Sequence, residues 1–347
     1  MTAPGRSVSF AERVSRARRT LRDIGLDVTS ARTAVAGAEF TYEKIWDFKS
    51  PSATQHLVRL LPSDEEGSLA ILEDATGSGK TESAVMRFLT LFQAGQVDGM
   101  YFGLPTRAAA KQIHERIREA VETIFQGTPF TPPVVLALPG YIQADSRTGC
   151  RQSDFGVQWD DETMANRGWA AERPKRFMAA PIVVGTIDQV LLSGLKVRHS
   201  HLRASSLARH LLVVDEVHAS DTYMTAILTH VLKRHLSLGG HALLMSATLG
   251  SSARTAYQRI VTDTVPDLSV EEANQVPFPS LAYAADGTEV PRTWAPKSNR
   301  RRAKRVRAIP LNLMGDPVAI ATRALKEARN GARVLVIRNT VEGARDA

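Results

Sequence analysis

The sequence predicts an α/β fold: a mainly parallel sheet covered by helices on both faces. Short apolar runs of β type alternate with helical patterns along most of the chain, which suits strands buried on both sides. Polar residues (Gly, Thr, Asp, Glu, His, Ser) collect at the C-terminal ends of six of those runs, where open α/β sheets bind ligands. One run, Leu69-Ala70-Ile71-Leu72, leads directly into a glycine loop, Glu73-Asp74-Ala75-Thr76-Gly77-Ser78-Gly79-Lys80-Thr81-Glu82, and then into a helical pattern.

Taken in order, residues 1–45 carry Arg13, Arg16, Arg18, Arg19 and Arg22 among scattered apolar residues, the pattern of a short surface helix. From Phe48 to Leu61 a second short pattern contains Gln55, 25 residues before Lys80. It is either an exposed helix residue or an amide placed to read an adenine edge with one donor and one acceptor. The glycine loop follows. Gly77 and Gly79 permit backbone conformations closed to other residues, so several N–H groups can converge on one anion. The helix beginning there adds partial positive charge. Lys80 then reaches the β- and γ-phosphates of a nucleotide and Thr81 offers a hydroxyl to Mg²⁺, while Thr76, Ser78 and Glu82 complete the loop. Asp74 stands where the general P-loop pattern has glycine.

Glu82 to Phe92 reads as a helix, Met100 to Leu104 as a strand ending in Pro105-Thr106-Arg107, and Ile113, Ile117, Val121 and Ile124 mark one helix face. Val134 to Leu138 is a further strand. Periodicity then lapses from about 140 to 178, as in an insertion or surface excursion. Ile182-Val183-Val184 ends in Gly185-Thr186-Ile187-Asp188-Gln189, and Leu211 to Val214 ends in Asp215-Glu216-Val217-His218. A helix is expected from Thr222 to Leu236, and Ala242 to Met245 ends in Ser246-Ala247-Thr248. Residues 46–275 thus form a first domain and 276–310 a basic, Pro-containing connection. The span 311–347 begins a second α/β domain, with a helix over 317–329 and a strand over 333–337. That remnant is too small to bury a core of its own.

The 347 residues carry a formal charge of +8, but the seven cations between Lys297 and Arg307 leave only +1 elsewhere. That run is either a solvated segment or a polyanion contact. A lone cysteine, Cys150, fits a reducing compartment, no Cys/His spacing suggests zinc, and no apolar run reaches membrane-spanning length, so the expected location is cytoplasmic. In a P-loop enzyme Asp215 holds Mg²⁺ through water and Glu216 polarises the attacking water. His218 then couples that site to the next element, and Ser246 and Thr248 hydrogen-bond the acidic cluster and transmit nucleotide state. Pro105, Thr106, Arg107, Thr186 and Gln189 are either helix-cap chemistry or donors for a nucleic-acid backbone.

Together these stretches resemble superfamily 2 helicases of the DEAH/DExH type and, more narrowly, the helicase–nuclease of type I CRISPR interference. The loop Glu73–Glu82 is similar to that family's motif I, in which Asp74 is common. Tyr101 to Thr106 is similar to motif Ia, Ser246-Ala247-Thr248 to motif III and Val334 to Val341 to motif IV. Val184 to Leu191 and Lys196 to Arg203 are characteristic of the family. Asp215 to Met224 is the most diagnostic stretch, because general helicases share only its first four residues. The resemblance covers about residues 50–345. It implies RecA-like domains, ATP and Mg²⁺ as cofactors, and single-stranded DNA as the track. The implied partner is an RNA-guided surveillance complex that displaces that strand at an R-loop. It also implies an HD nuclease, yet the chain has no His-Asp dipeptide, and motifs V and VI of the second RecA-like domain are absent. An arginine finger is worth on the order of 10³–10⁵ in related phosphoryl transfer, so slow hydrolysis by this polypeptide alone is expected. The alternatives are another superfamily 2 motor acting on DNA or RNA, or a passive nucleotide- and nucleic-acid-binding remnant.

Overall fold

The computed structural model describes residues 9–47, 50–63, 66–154, 156–161, 164–219, 222–262, 265–285, 292–295 and 307–346. Two compact units divide at Asn299/Arg300.

The first unit begins with helices α1 (Phe10–Asp23), α2 (Thr29–Val35), α3 (Tyr42–Trp46) and α4 (Ala53–Arg59). Strand β1 (Ser68–Glu73), helix α5 (Lys80–Gln93), β2 (Gly99–Leu104), α6 (Arg107–Ile124) and β3 (Val134–Ala137) follow. A meander, β4 (Gln143–Ala144), β5 (Arg147–Arg151) and β6 (Val157–Trp159), leads through α7 (Met164–Arg167) to β7 (Ile182–Thr186), α8 (Ile187–Leu191), α9 (Ser200–Leu207) and β8 (His210–Val214). The unit ends with α10 (Thr222–Ser237), β9 (His241–Ser246), α11 (Ser251–Gln258), α12 (Val270–Gln275), β10 (Ser280–Ala285) and β11 (Arg292–Trp294).

The strands form one sheet in the order β11-β10-β1-β9-β8-β2-β7-β3-β4-β5-β6. The six from β1 to β3 run parallel, while β10–β11 and β4–β6 close the two edges with antiparallel pairs. Side chains alternate across the sheet. Ala70, Leu72, Leu211, Val213, Leu243 and Met245 pack with α5 and α6 on one face. Leu69, Ile71, Leu212, Val214, Ala242 and Leu244 pack with residues of α8 and α10 on the other. This accounts for the continuous apolar runs, and the mainly parallel α/β expectation holds.

Three expectations need correction. The N-terminal 45 residues are not a separate segment: Val28, Ala31, Val35, Tyr42 and Ile45 join the core, and Arg32 bonds the carbonyls of Phe92 and Val97 and the Asp98 carboxylate. The α1 helix alone keeps to the surface, with no buried residue. The presumed connection from 276 contains β10, all of it buried and paired antiparallel along β1 from Ser68↔Ala285 to Glu73↔Ser280. The 140–178 stretch is only partly an excursion, since β4 to β6 extend the sheet and Trp159, Met164, Ala170 and Phe177 enter the core.

In the second unit α13 (Pro317–Arg329) opens with Asp316 accepting from the Ala319 N–H at 2.9 Å and proline in the first turn. A short α14 (Val341–Arg345) follows. The strand expected over 333–337 does not form, and Leu335 and Ile337 are about four-fifths exposed (80% and 79%). A strand needs a hydrogen-bonded neighbour, and the described residues of this unit include no other strand. The basic run from 297 lies outside the described residues except for Arg307, which is exposed.

Candidate nucleotide site

A cavity of about 810 Å³ opens at the carboxyl ends of the central strands. Its lining includes Gln55 from α4, the loop Thr76–Glu82, Gln112 and Arg116 from α6, and Asp215 and Glu216 after β8. The topology makes this convergence. Since β1 and β2 both flank the β9–β8 pair, the loops after β1, β8 and β9 meet on one edge. The Asp74 N–H donates to the Ser246 carbonyl at 3.1 Å, and the Asp215 N–H to Gly103 at 2.9 Å.

Gly77 and Gly79 take positive φ of 73° and 90°. A Cβ added at Gly79 would overlap Gln55 Nε2, so this position needs glycine for space as well as for conformation. Lys80 begins α5 and is buried, its Nζ donating to the carbonyls of Asp74 at 2.9 Å and Ala75 at 3.5 Å. Ser78 Oγ is buried among the described residues with no hydrogen-bond partner. Glu82 pairs with Arg116, a cation on α6 that single-residue pattern reading misses because its partner lies 34 positions away. Gln55 is buried rather than exposed: its Oε1 accepts from the Ser52 N–H at 2.7 Å and its Nε2 donates to the Gly79 carbonyl at 3.3 Å.

Burial and the neighbouring Glu216 charge push the Asp215 carboxyl up to about 6, against the pull of Lys80. Glu216 follows it at φ 52°, a left-handed conformation that costs a non-glycine residue energy. Glu216 Oε2 is buried 3.3 Å from His218 Nδ1, and His218 Nδ1 also shares a 2.9 Å hydrogen bond with Ser246 Oγ. Ser246 Oγ accepts from the Thr248 N–H at 3.0 Å. The predicted link between Ser246 and the acidic pair therefore runs through His218. The Thr248 contact uses its backbone.

Thr81, Asp215 and Glu216 offer hard oxygen donors to the cavity, which suit Mg²⁺. Among the described residues no group of three or more His, Cys, Asp and Glu could hold a metal unaided. The set thus fits a cation that takes its remaining ligands from phosphates and water.

Of the five candidate nucleic-acid residues, three are accessible. Pro105, Thr106 and Arg107 are exposed, although Thr106 also caps α6 through the Ala109 N–H at 3.2 Å. Arg107 donates to the Pro139 carbonyl at 2.8 Å and lies over the Tyr141 ring. Thr186 and Gln189 are buried. The Leu104↔Thr186 register puts both groups at one end of β2 and β7, but the second pair offers no side-chain surface to a strand of nucleic acid. The segment Ser220-Asp221 lies outside the described residues.

A family model for DEAD/DEAH box helicases matches residues 54–256. The CRISPR-associated endonuclease/helicase Cas3 of Thermus thermophilus is 33% identical over 305 residues, covering 85% of this chain and 31% of that protein. The Cas3 endonuclease/helicase of Escherichia coli K12 is 35% identical over 207 residues, covering 57% and 22%. The chain therefore spans less than a third of the length of these relatives. Among solved structures, T. fusca Cas3-AMPPNP superposes with a TM-score of 0.62 at 26% identity, covering 82% of this chain and 30% of that one. T. fusca Cas3-ATP, at a TM-score of 0.65 and 23% identity over 91% and 36% of the two chains, shares the fold. No described helix is long and apolar enough to cross a membrane.

Proposed function

The chain belongs to the DEAD/DEAH box helicase family, in its CRISPR-associated Cas3-type branch, and we propose from that premise that it is the ATP-binding part of a DNA translocase acting in type I CRISPR interference. The observation that carries the reading is the meeting of Lys80 and Thr81 with Asp215 and Glu216 around one cavity, two halves of a phosphoryl-transfer site separated by 135 positions in sequence.

In this reading the backbone N–H groups from Thr76 to Thr81 hold the phosphates of ATP, and Lys80 supplies a cation at their β- and γ-groups. Thr81 and Asp215 would hold Mg²⁺, which would supply positive charge against that developing on the phosphates. Glu216 orients the attacking water and takes hydrogen bonds from it, while His218 and Ser246 relay the state of the phosphate end to the helix after β9. Gln55 faces the base side. Pro105, Thr106 and Arg107 are the contacts for the backbone of single-stranded DNA. Thr186 and Gln189, whose side chains are buried, act through the β7–α8 backbone. The natural partners are an RNA-guided surveillance complex, an HD nuclease and the remainder of a second RecA-like domain, in cis or in another chain, and the setting is the cytoplasm.

The test measures ATP hydrolysis by the purified chain with Mg²⁺, with and without single-stranded DNA or RNA, beside Lys80→Ala and Glu216→Gln variants. Nucleotide binding with only slow hydrolysis, raised somewhat by DNA and abolished by both substitutions, is expected of this chain alone. Equal stimulation by RNA would favour a general superfamily 2 motor. Absence of nucleotide binding by the wild-type chain would overturn the reading.

A further inference from the structure

Asp74 occupies a P-loop position where glycine is usual, and its surroundings give it work that glycine could not do. Its carboxylate is buried at 4% exposure. Oδ1 accepts from the Ala75 N–H at 2.7 Å, and Oδ2 accepts from the Thr54 hydroxyl at 2.6 Å. Thr54, 3% exposed, stands in the first turn of α4 beside Gln55, and its hydroxyl is also 3.0 Å from Ser52 Oγ, the cap of that helix. Gln55 meanwhile donates to the Gly79 carbonyl at the far end of the loop. The first turn of α4 therefore grips the phosphate loop at both ends: Thr54 at its start through Asp74, Gln55 at its close through Gly79. Within the loop itself, Lys80 Nζ donates to the Asp74 carbonyl at 2.9 Å.

We propose that Thr54 and Asp74 form a positioning latch that makes the base-side helix α4 and the phosphate loop move as one body, so that contacts to the base strengthen binding of the phosphates. A short bond to a carboxylate is stronger than a neutral one. Burial raises the cost of breaking it, because the carboxylate would be left short of a donor away from water. Glycine at position 74 could hold neither Thr54 nor the Ala75 N–H by a side chain. The latch rests on the nucleotide-site reading above and adds two residues that touch no substrate themselves.

The experiment displaces a fluorescent ATP analogue from the full chain with ATP and with inorganic tripolyphosphate, and compares the two dissociation constants. Wild-type protein is expected to prefer ATP. Thr54→Val keeps the shape and removes the hydroxyl; the ATP preference should fall about tenfold, the scale of one hydrogen bond to a charged group. Thr54→Ser should restore it, and Asp74→Gly should lose it. An unchanged preference in Thr54→Val and Asp74→Gly overturns the latch, as does a loss in Thr54→Ser equal to that in Thr54→Val, which would assign the effect to packing of the methyl group. If wild-type protein binds tripolyphosphate as tightly as ATP, the latch falls while the phosphate site stands. If it binds neither, the nucleotide-site reading falls as well.

Discussion

The two ends of the same sheet solve the burial of ionisable groups in opposite ways. At the amino ends of β8 and β9 three histidines are buried, and each is held by a local partner. His210 Nε2 meets the Ala180 carbonyl at 2.8 Å, His235 Nε2 the His241 carbonyl at 3.1 Å, and His241 Nδ1 the Ser68 hydroxyl at 2.8 Å. Burial pushes all three imidazoles below their usual range, His235 and His241 to about 4, with Arg87 opposing charge on His241, so these three side chains are neutral near pH 7. At the carboxyl ends Asp215 and Glu216 sit as adjacent carboxylates, one pushed up to about 6 and the other in a left-handed conformation. One end keeps its buried histidines uncharged. The other retains charge and strain, the signature of a site whose partner is a ligand.

The largest test of that contrast is to remove charge from the carboxyl end. Lys80→Ala should lower nucleotide affinity by roughly a hundredfold or more, since one donor aimed at phosphate charge in a sheltered site is worth that much. Glu216→Gln should lower turnover by about 10²–10⁴ while leaving nucleotide bound, the scale of a lost general base. Isothermal titration and a phosphate-release assay separate the two. Equal loss of binding in both variants would show that Glu216 serves the fold of the loop rather than the attacking water.

Next in size is a pH effect of opposite sign at the two ends. His235 and His241 have folded-state values near 4, below the usual 6.5, so the neutral forms stabilise the fold fully above about pH 6.5. That stability is lost progressively as pH falls from 6.5 toward 4. Asp215 is raised, from 3.8 to about 6, so its ionised form costs stability above pH 6 and protonation relieves that cost between 6 and 4. Two histidines outweigh one carboxylate. Thermal melting should therefore fall between pH 7 and pH 5, and His241→Asn should flatten the slope. Mg²⁺-dependent nucleotide binding should weaken through pH 6 because Asp215 loses its charge. A melting temperature that rises on acidification would reverse the ranking of the two ends.

Legibility followed how local the chemistry is. The glycine loop, the Asp215–His218 stretch and the parallel strands could be read because each is a contiguous pattern with a fixed period. The Thr54–Asp74 bond, the Glu82–Arg116 pair and the Arg254–Glu73 pair could not, because their members lie 20, 34 and 181 positions apart. β10 is hidden among prolines and charges, in a short alanine-rich run, Leu281 to Ala285, that forms a strand because β1 offers an edge. Residues 333–337 show the reverse: the apolar pattern is present, no partner strand lies among the described residues of that unit, and propensity alone leaves them exposed. From their place at a strand end, Thr186 and Gln189 suit either helix-cap chemistry or donors for a nucleic-acid backbone. Which side of the backbone a residue faces there is set by packing, and it buried both.

The smallest expected effect concerns the backbone of Glu216. Its φ of 52° is one that glycine takes freely, and holding it in a residue with a Cβ costs of order 1 kcal/mol. Glu216→Gly should therefore raise the melting temperature by about 2–4 °C, the shift that 1 kcal/mol gives a domain of this size, while abolishing hydrolysis. Glu216→Ala keeps the Cβ and the strain but removes the same carboxylate. The difference between the two variants isolates the backbone term, because both lose the charge beside Asp215. If alanine stabilises as much as glycine, relief of repulsion with Asp215 accounts for the gain. The carboxyl end would then be charged but unstrained, and the contrast between the two ends of the sheet would reduce to electrostatics alone.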